Sequence, residues 1–428
     1  MIDIKVFRET PEIIIASEKK RFKDLSHVEN VIEFDTKWRE TKQQLDMSRK
    51  ERNTITNKIN ELKKTGKDFT KEVSRIKSLK TEIPQLEALE KEYFEKREKA
   101  RYIVGNILHE TVPIGKTEEF NKVERIWGKI PAFKFTPKPH VDLVQLIDGA
   151  DLETAAKVSG TRTYYLKKDL VLLNLGLIQF ALDHLMDKGY TPFWTPFFIK
   201  FEVMEKAAEL ADFEQQLYRL EGTDLFLIAT SEQTLAALHM DEIIPPEKLP
   251  LKYTAYSTCF RKEAGSHGKD TKGIFRIHQF DKIEQYIYCK PEESWSFHEE
   301  MIKISEELFQ KLELPYRIVN IASGEMNDNA AKKYDLEGWF PAQNTYRELV
   351  SCSNCTDYQA RKLNVRYGIQ GALQDPHEKH PVVHTLNSTA IATERTICCI
   401  LENHQNEDGS INIPPALQKY MKGKKKIP

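Results

Sequence analysis

From Val31 to Leu108 the sequence is rich in lysine and glutamate, poor in glycine, and interrupted once, at Lys63-Lys64-Thr65-Gly66-Lys67-Asp68. Before the break Ile55, Ile59 and Leu62 recur at four- and three-residue spacing, with Leu45 and Trp38 further back. After it Phe69, Val73, Ile76, Ile83, Leu86 and Tyr93 repeat the pattern. Heptad-like spacing on both sides of a glycine-containing turn describes two long helices folded back as an antiparallel coiled coil. Each helix is expected to run ~30 residues or more, on the order of 45 Å at ~1.5 Å per residue. The charged faces need water, so the hairpin is expected to project. Pro84 lies inside the second helix, where proline costs roughly 3 kcal/mol, and predicts a bend or local break near Glu82-Ile83.

Heptads alone name no partner. An oligomerisation coiled coil and a solvated spacer both fit. Arg49, Lys50, Arg52, Lys63, Lys64, Lys67, Lys71 and Arg75 gather toward the tip and could meet phosphates, but Glu51, Glu61 and Glu72 are interleaved among them.

At 428 residues the chain has room for two or three domains and a full enzyme core. Its 40% apolar and 30% charged content is that of a globular, well-charged protein. The formal net charge is -1, so any affinity for nucleic acid must come from local basic patches. Six scattered cysteines suit reduced thiols in the cytoplasm better than a disulfide framework. The N-terminus lacks an apolar targeting core, and no run reads as a bilayer span, so secretion and membrane insertion are not expected.

Beyond Pro113 the composition shifts to aromatics, glycines, prolines and short β-rich runs, a mixed α/β pattern. Helical periodicity runs from Leu170 to Lys188 and stops at Gly189. Tyr190 to Pro196, with two prolines, reads as an edge strand or turn. Leu225 to Ala229 reads as a short strand leading into Thr230-Ser231-Glu232, and helices are expected over Gln233–Met240, Ser294–Leu312 and Thr393–Gln405. The Lys-Gly-Lys-Lys-Lys ending reads as a frayed basic tail.

The chemistry concentrates between Cys259 and Gln285. Arg261 and Glu263 leave an apolar run, a charged glycine-rich turn follows, and a second alternating run carries Arg276, His278, Phe280 and Glu284. Alternation sets Arg276, His278 and Phe280 opposite Ile277 and Ile283, as in an antiparallel strand pair. Such a pair can hold a phosphate, a flat ring and an ammonium or hydroxyl group together, which suits nucleotide-dependent activation of a small molecule.

With these residues in place, the chain resembles the class II aminoacyl-tRNA synthetases, and within them the seryl-tRNA synthetases of the eukaryotic cytosolic type. Leu170 to Pro196 is similar to the first class II motif, Phe260-Arg261-Lys262-Glu263 to Glu284 to the second, and Leu386 to Arg395 running into Ile400-Leu401-Glu402-Asn403 to the third. Gly265 to Asp270, Arg347 to Arg361 and Gln405 to Gly409 add stretches particular to the seryl enzymes. The resemblance implies an α+β protein. Residues 1–115 would form the tRNA-binding helical arm, and residues 116–428 a catalytic domain on a mainly antiparallel β-sheet flanked by helices, with a short basic C-terminal tail.

The reaction it implies joins L-serine to ATP as seryl adenylate, releases pyrophosphate, and transfers serine to the 3′ end of serine tRNA. Arg261 and Arg395 become the catalytic cations, since guanidinium groups suit charge developing on phosphate oxygens. Serine falls to Thr230, Glu232, Arg261, Glu284 and Thr389. ATP falls to Arg261, Lys262, Glu263, Arg276, Ile277, Phe280, Glu348, Leu349, Val350, Ser351 and Arg395, with adenine between Phe280 and Arg395. Glu348 and Ser351 offer oxygens for Mg²⁺. Arg49, Arg52, Lys63, Lys64, Lys67 and Arg75 on the arm, with Lys269 and Lys272 in the turn, would meet tRNA. A homodimer through the first motif, a cytoplasmic location and no membrane partner go with the family. No zinc is expected, because Cys352 and Cys355 lack a second ligand pair. The chain departs from eukaryotic relatives at Pro84 and in lacking their long Lys-rich extension. An inactive RNA-binding paralogue and an amino-acid ligase with a non-tRNA acceptor are the alternatives. The former sits poorly with intact Arg261, Glu263, Glu284 and Arg395, and the latter with the long arm.

Overall fold

The structure is a computed structural model describing residues 1–207, 214–264, 272–369, 371 and 380–428. It falls into two compact units, Met1–Ile107 and Leu108–Pro428.

In the first unit two short helices, Ile4–Glu9 and Pro11–Lys20, precede α1 (Ser26–Lys64) and α2 (Thr70–Ile103). These two long helices pack as the hairpin that the heptads dictate, turning at Gly66, which takes a φ of 63° open to glycine. Leu45, Leu79 and Ile83 are buried between them, with Ile55 and Leu86 alongside. Trp38 Nε1 donates to Glu90 Oε1 at 2.6 Å, and the Arg97 guanidinium lies 4.5 Å over the Trp38 ring. Asp35, almost wholly buried, is held by Arg8 at 2.7 Å, Arg39 at 3.0 Å and Arg97 at 3.1 Å.

The expected break at Pro84 is absent: α2 continues through it. The proline ring faces solvent while Ile83, its neighbour, stays buried against α1. A single lost backbone hydrogen bond is outweighed by apolar packing on both sides of it. The tip cations also divide. Arg49 bridges to Glu87 at 2.8 Å and Arg75 to Glu51 at 2.6 Å and Glu82 at 3.1 Å, so these two tie the helices together. Arg52, Lys63, Lys64 and Lys67 stand exposed.

The second unit is built on one eight-stranded sheet. Its strands in chain order are β1 (Lys122–Trp127), β2 (Thr191–Trp194), β3 (Leu251–Phe260), β4 (Gln279–Cys289), β5 (Tyr316–Asn320), β6 (Lys332–Phe340), β7 (Thr345–Thr356) and β8 (His384–Ala392). They lie in the order β1-β5-β6-β7-β8-β4-β3-β2, antiparallel except where the edge strand β2 runs parallel to β3. Three helices pack on this sheet: α3 (Asp169–Asp187), α4 (Ser294–Lys311) and α5 (Thr393–Asn403). Leu173, Leu177 and Leu185 of α3 and Ile397 and Leu401 of α5 join Ile283, Leu336, Leu349 and Leu386 of the strands in one core.

Two expectations are corrected here. By length and composition α3 is apolar enough to cross a membrane, contrary to the reading that no run is. Half of it is buried in the core just described, which accounts for its apolarity. The basic C-terminus is paired, not frayed: Lys426 and Ile427 form a ladder with Asn412 and Ile411, and Ile427 is buried.

Because Pro84 is exposed within a continuous helix, Pro84→Ala should restore a backbone hydrogen bond and stabilise the first unit by about 1–3 kcal/mol. Denaturant unfolding of the full chain, followed by helical circular dichroism, measures this; an unchanged or lower midpoint would contradict it.

Candidate functional site

Strands β7, β8 and β4 sit side by side at the centre of the sheet, and their polar faces line a cavity that Arg261 and Glu263 enter from just beyond β3. Strand periodicity fixes who points there. On β4, Phe280, Lys282 and Glu284 share the cavity face while Ile283 enters the core. On β8, Asn387 and Thr389 do the same, and Thr389 stands directly opposite Glu284 in the ladder. On β7, Ser351 and Ser353 line the cavity while Val350 and Cys352 are in the core.

One end of the cavity is acidic and buried. Glu284 is 1% exposed and ion-paired with the Lys282 ammonium, which also donates to Thr230 Oγ1 at 3.3 Å. Glu232 enters from a short helix, Glu232–Ala236, that follows the strand Leu225–Leu227 through Thr230-Ser231. Its own N–H donates to Thr230 Oγ1 at 3.2 Å, which closes that turn. Its Oε1 accepts from Gln359 Nε2 at 2.9 Å and Asn387 Nδ2 at 3.1 Å. Burial, with the Glu284 charge beside it, pushes the Glu232 carboxyl up to about 7. Burial also raises Glu284, against the pull of Lys282. Two carboxylates and one ammonium, set together in a largely buried corner, form a receptor for a small cation bearing hydrogen-bond donors.

The other end is cationic. Arg261 follows β3 directly; its N–H donates to His278 O at 2.9 Å and its Nε to Ala229 O at 3.3 Å, and its guanidinium lies 5.1 Å over the Phe280 ring. Arg276 Nη1 donates to Glu263 Oε2 at 2.7 Å, and Glu263 itself holds a left-handed backbone with φ 52°. Arg395, from the first turn of α5, has Nη1 3.6 Å from Glu348 Oε2. Burial works against the Glu348 charge, yet Arg395, Lys333 and Arg261 hold its carboxyl below the usual range. Guanidinium groups converging beside an aromatic ring suit a polyphosphate carried on a flat base.

Of the residues expected at the site, Thr230, Glu232, Arg261, Glu263, Arg276, Ile277, Phe280, Glu284, Glu348, Leu349, Ser351, Thr389 and Arg395 line the cavity. Lys262 and Val350 do not: the Lys262 ammonium lies 5.7 Å over the Tyr218 ring, and Val350 packs in the core. Arg276 and Ile277 are not on the second strand, which begins only at Gln279. Arg395 lies 5.2 Å over Phe275 in this structure, whereas the arginine against Phe280 is Arg261. Lys272 is exposed, and Lys269, with the stretch Gly265 to Asp270, lies outside the described residues.

Lys282, Lys333, Asn387 and Phe275 also line the site or support it, and sequence reasoning missed them. Carrying the alternation two residues either way from Glu284 and Thr389 would have found Lys282 and Asn387. All six cysteines are free and buried, and among the described residues no group of three or more His, Cys, Asp or Glu side chains could hold a metal ion.

Comparison with known proteins places both units. Residues 1–108 match the seryl-tRNA synthetase N-terminal domain, and residues 213–404 the tRNA synthetase class II core domain (G, H, P, S and T). The serine–tRNA ligase of Methanosphaera stadtmanae is 58% identical over 424 residues, covering 99% of each chain. The cytoplasmic serine–tRNA ligase of Arabidopsis thaliana is 47% identical over 440 residues, covering 100% of this chain and 96% of that one. Among solved structures, seryl-tRNA synthetase from Pyrococcus horikoshii complexed with ATP superposes with a TM-score of 0.94 at 44% identity, covering 100% and 99% of the two chains. With a matching arm, a matching core and relatives aligned from end to end, the chain belongs to the seryl-tRNA synthetases.

Proposed function

We propose that this chain is an ATP-dependent serine–tRNA ligase in which this one cavity carries both half-reactions. The observation that carries the reading is the polarity of the cavity, with Glu284 buried and Glu232 half-buried at one end and Arg261, Arg276 and Arg395 at the other. Serine docks with its ammonium on Glu232 and Thr230 and its hydroxyl on Glu284 and Thr389. Its carboxylate turns toward Arg261, the cation that also meets the α-phosphate of ATP. Bringing the two anions together removes much of the entropic barrier to attack, and the guanidinium stabilises charge that grows on the phosphate. Arg276 and Arg395 hold the remaining phosphates, and Phe280 offers a face to adenine. Glu348 and Ser351 supply oxygens of the kind Mg²⁺ takes alongside phosphate and water; when bound, it would neutralise phosphate charge.

The exposed Arg52, Lys63, Lys64 and Lys67 support an arm that meets the backbone of serine tRNA. The edge strand β2 carries Trp194, 77% exposed, which supports pairing of two copies along that edge. Six buried thiols and the cytoplasmic plant relative support a location in the cytoplasm.

Two outcomes test the roles. Glu284→Ala should lower serine kcat/KM in ATP–pyrophosphate exchange by at least about 10³-fold, since a site built around a hydroxyl fails when its polar reader is lost. An unchanged circular dichroism spectrum would show the fold intact, and near-normal exchange would remove Glu284 from the site. The second outcome concerns pH. Glu232 must be ionised to hold an ammonium and its carboxyl sits at about 7, so serine KM should fall as pH rises through about 7. In Glu232→Gln, KM should be about 10-fold to 100-fold higher and lose that dependence; a flat profile in the wild type would contradict the assignment.

A further inference from the structure

Gln359 lies outside the cavity, on the short helix Tyr358–Lys362, and is 1% exposed. Every hydrogen-bonding position of its amide is occupied. Nε2 donates to Glu232 Oε1 at 2.9 Å and to the Ala207 carbonyl at 3.1 Å, while Oε1 accepts from Tyr286 Oη and Thr385 Oγ1, both at 3.1 Å. The orientation of a carboxamide is set by its partners. Here the Ala207 carbonyl can only accept, and the Glu232 carboxylate accepts whenever it is ionised. A flipped amide would face both with its oxygen, so the N–H side is fixed toward Glu232. Tyr286 and Thr385, whose hydroxyls can donate, complete the other side.

The charged groups facing Glu232 do not all favour its ionised form. Glu284 on β4 opposes it, while Lys282 on the same strand and Arg261 after β3 favour it. Tyr286 and the Cys355 thiol, which lies 3.5 Å from Asn387 Nδ2, are the other titratable groups in this network. Both amide donors, from Gln359 and Asn387, take the same oxygen, Oε1, which leaves Oε2 for a ligand.

We infer that Gln359 is a positioning residue for serine. It never touches the substrate, but it aims the Glu232 carboxylate and holds it in the ionised form that captures the ammonium. The inference rests on the assignment of Glu232 to the serine ammonium. It adds a dependence on a network, Gln359 with Tyr286 and Thr385, that lies behind the site. A structural role alone would lower stability or kcat at every pH. A role through Glu232 confines the damage to serine binding and lets rising pH repair it, because the carboxyl then ionises without help.

The experiment is ATP–pyrophosphate exchange by the full chain between about pH 6 and 9, on Gln359→Met, which keeps the length of the side chain and removes its donors. Serine KM should rise by about tenfold at pH 6.5 and by less than about threefold at pH 8.5, with ATP KM and the kcat at saturating serine within about twofold of wild type. Tyr286→Phe, which removes one bond that steadies the amide and keeps the ring, should show the same trend at smaller amplitude and serves if the first variant does not fold. A serine KM unchanged in the folded variants, or raised equally at every pH, would overturn the inference. Glu232→Gln run in parallel separates the two levels. If it raises serine KM while the Gln359 and Tyr286 variants do not, only the positioning role fails. If it too leaves KM unchanged, the assignment of Glu232 fails.

Discussion

Everything in the catalytic unit turns on keeping two carboxylates, the buried Glu284 and the half-buried Glu232, within reach of a single ammonium, that of Lys282. An ion so placed is strongly disfavoured unless charge or hydrogen bonds compensate it. The compensation comes from different places for each. Glu284 has Lys282 two residues along its own strand, and Glu232 has two amide donors from neighbouring elements. The site therefore exists only where β4, β8 and the helix of Gln359 are already in register. The large antiparallel sheet is what guarantees that register, since a slip of one residue on β4 would turn Glu284 into the core.

The same geometry explains how one cavity can serve two chemically unlike partners. Charge is segregated along it, acidic and buried at one end, cationic and aromatic at the other, with Arg261 where the two meet. A substrate that carries both an ammonium and a carboxylate is oriented by that gradient before any reaction begins. In the proposed pose the carboxylate would be presented to the phosphate, and hydroxyl selection would fall to Glu284.

Much of this was legible in the sequence, and the exceptions have physical causes. The arm followed from heptads around Gly66 because a long solvated hairpin is decided by local pattern. No break forms at Pro84, because packing of Leu79 and Ile83 on α1 outweighs one local defect. Arg49 and Arg75, expected to meet tRNA, are ion-paired with Glu87, Glu51 and Glu82, and pairs between helices are not visible along a linear sequence. In the site, motif resemblance brought most residues to the cavity but missed Lys282 and Asn387, which alternation alone would have supplied. Gln359 was beyond sequence reasoning altogether. Its partners Ala207, Glu232, Tyr286 and Thr385 come from four separate segments and meet only in the folded chain.

The most direct measurement is the selectivity of ATP–pyrophosphate exchange by the purified wild-type protein for serine over alanine, which differs only in lacking the hydroxyl. A site that buries hydrogen-bonding groups for that hydroxyl leaves them unpaired with alanine, so serine kcat/KM should exceed that of alanine by on the order of 10⁴-fold. Exchange with alanine within about tenfold of that with serine would contradict the assignment of Glu284 and Thr389 as the readers of the serine side chain.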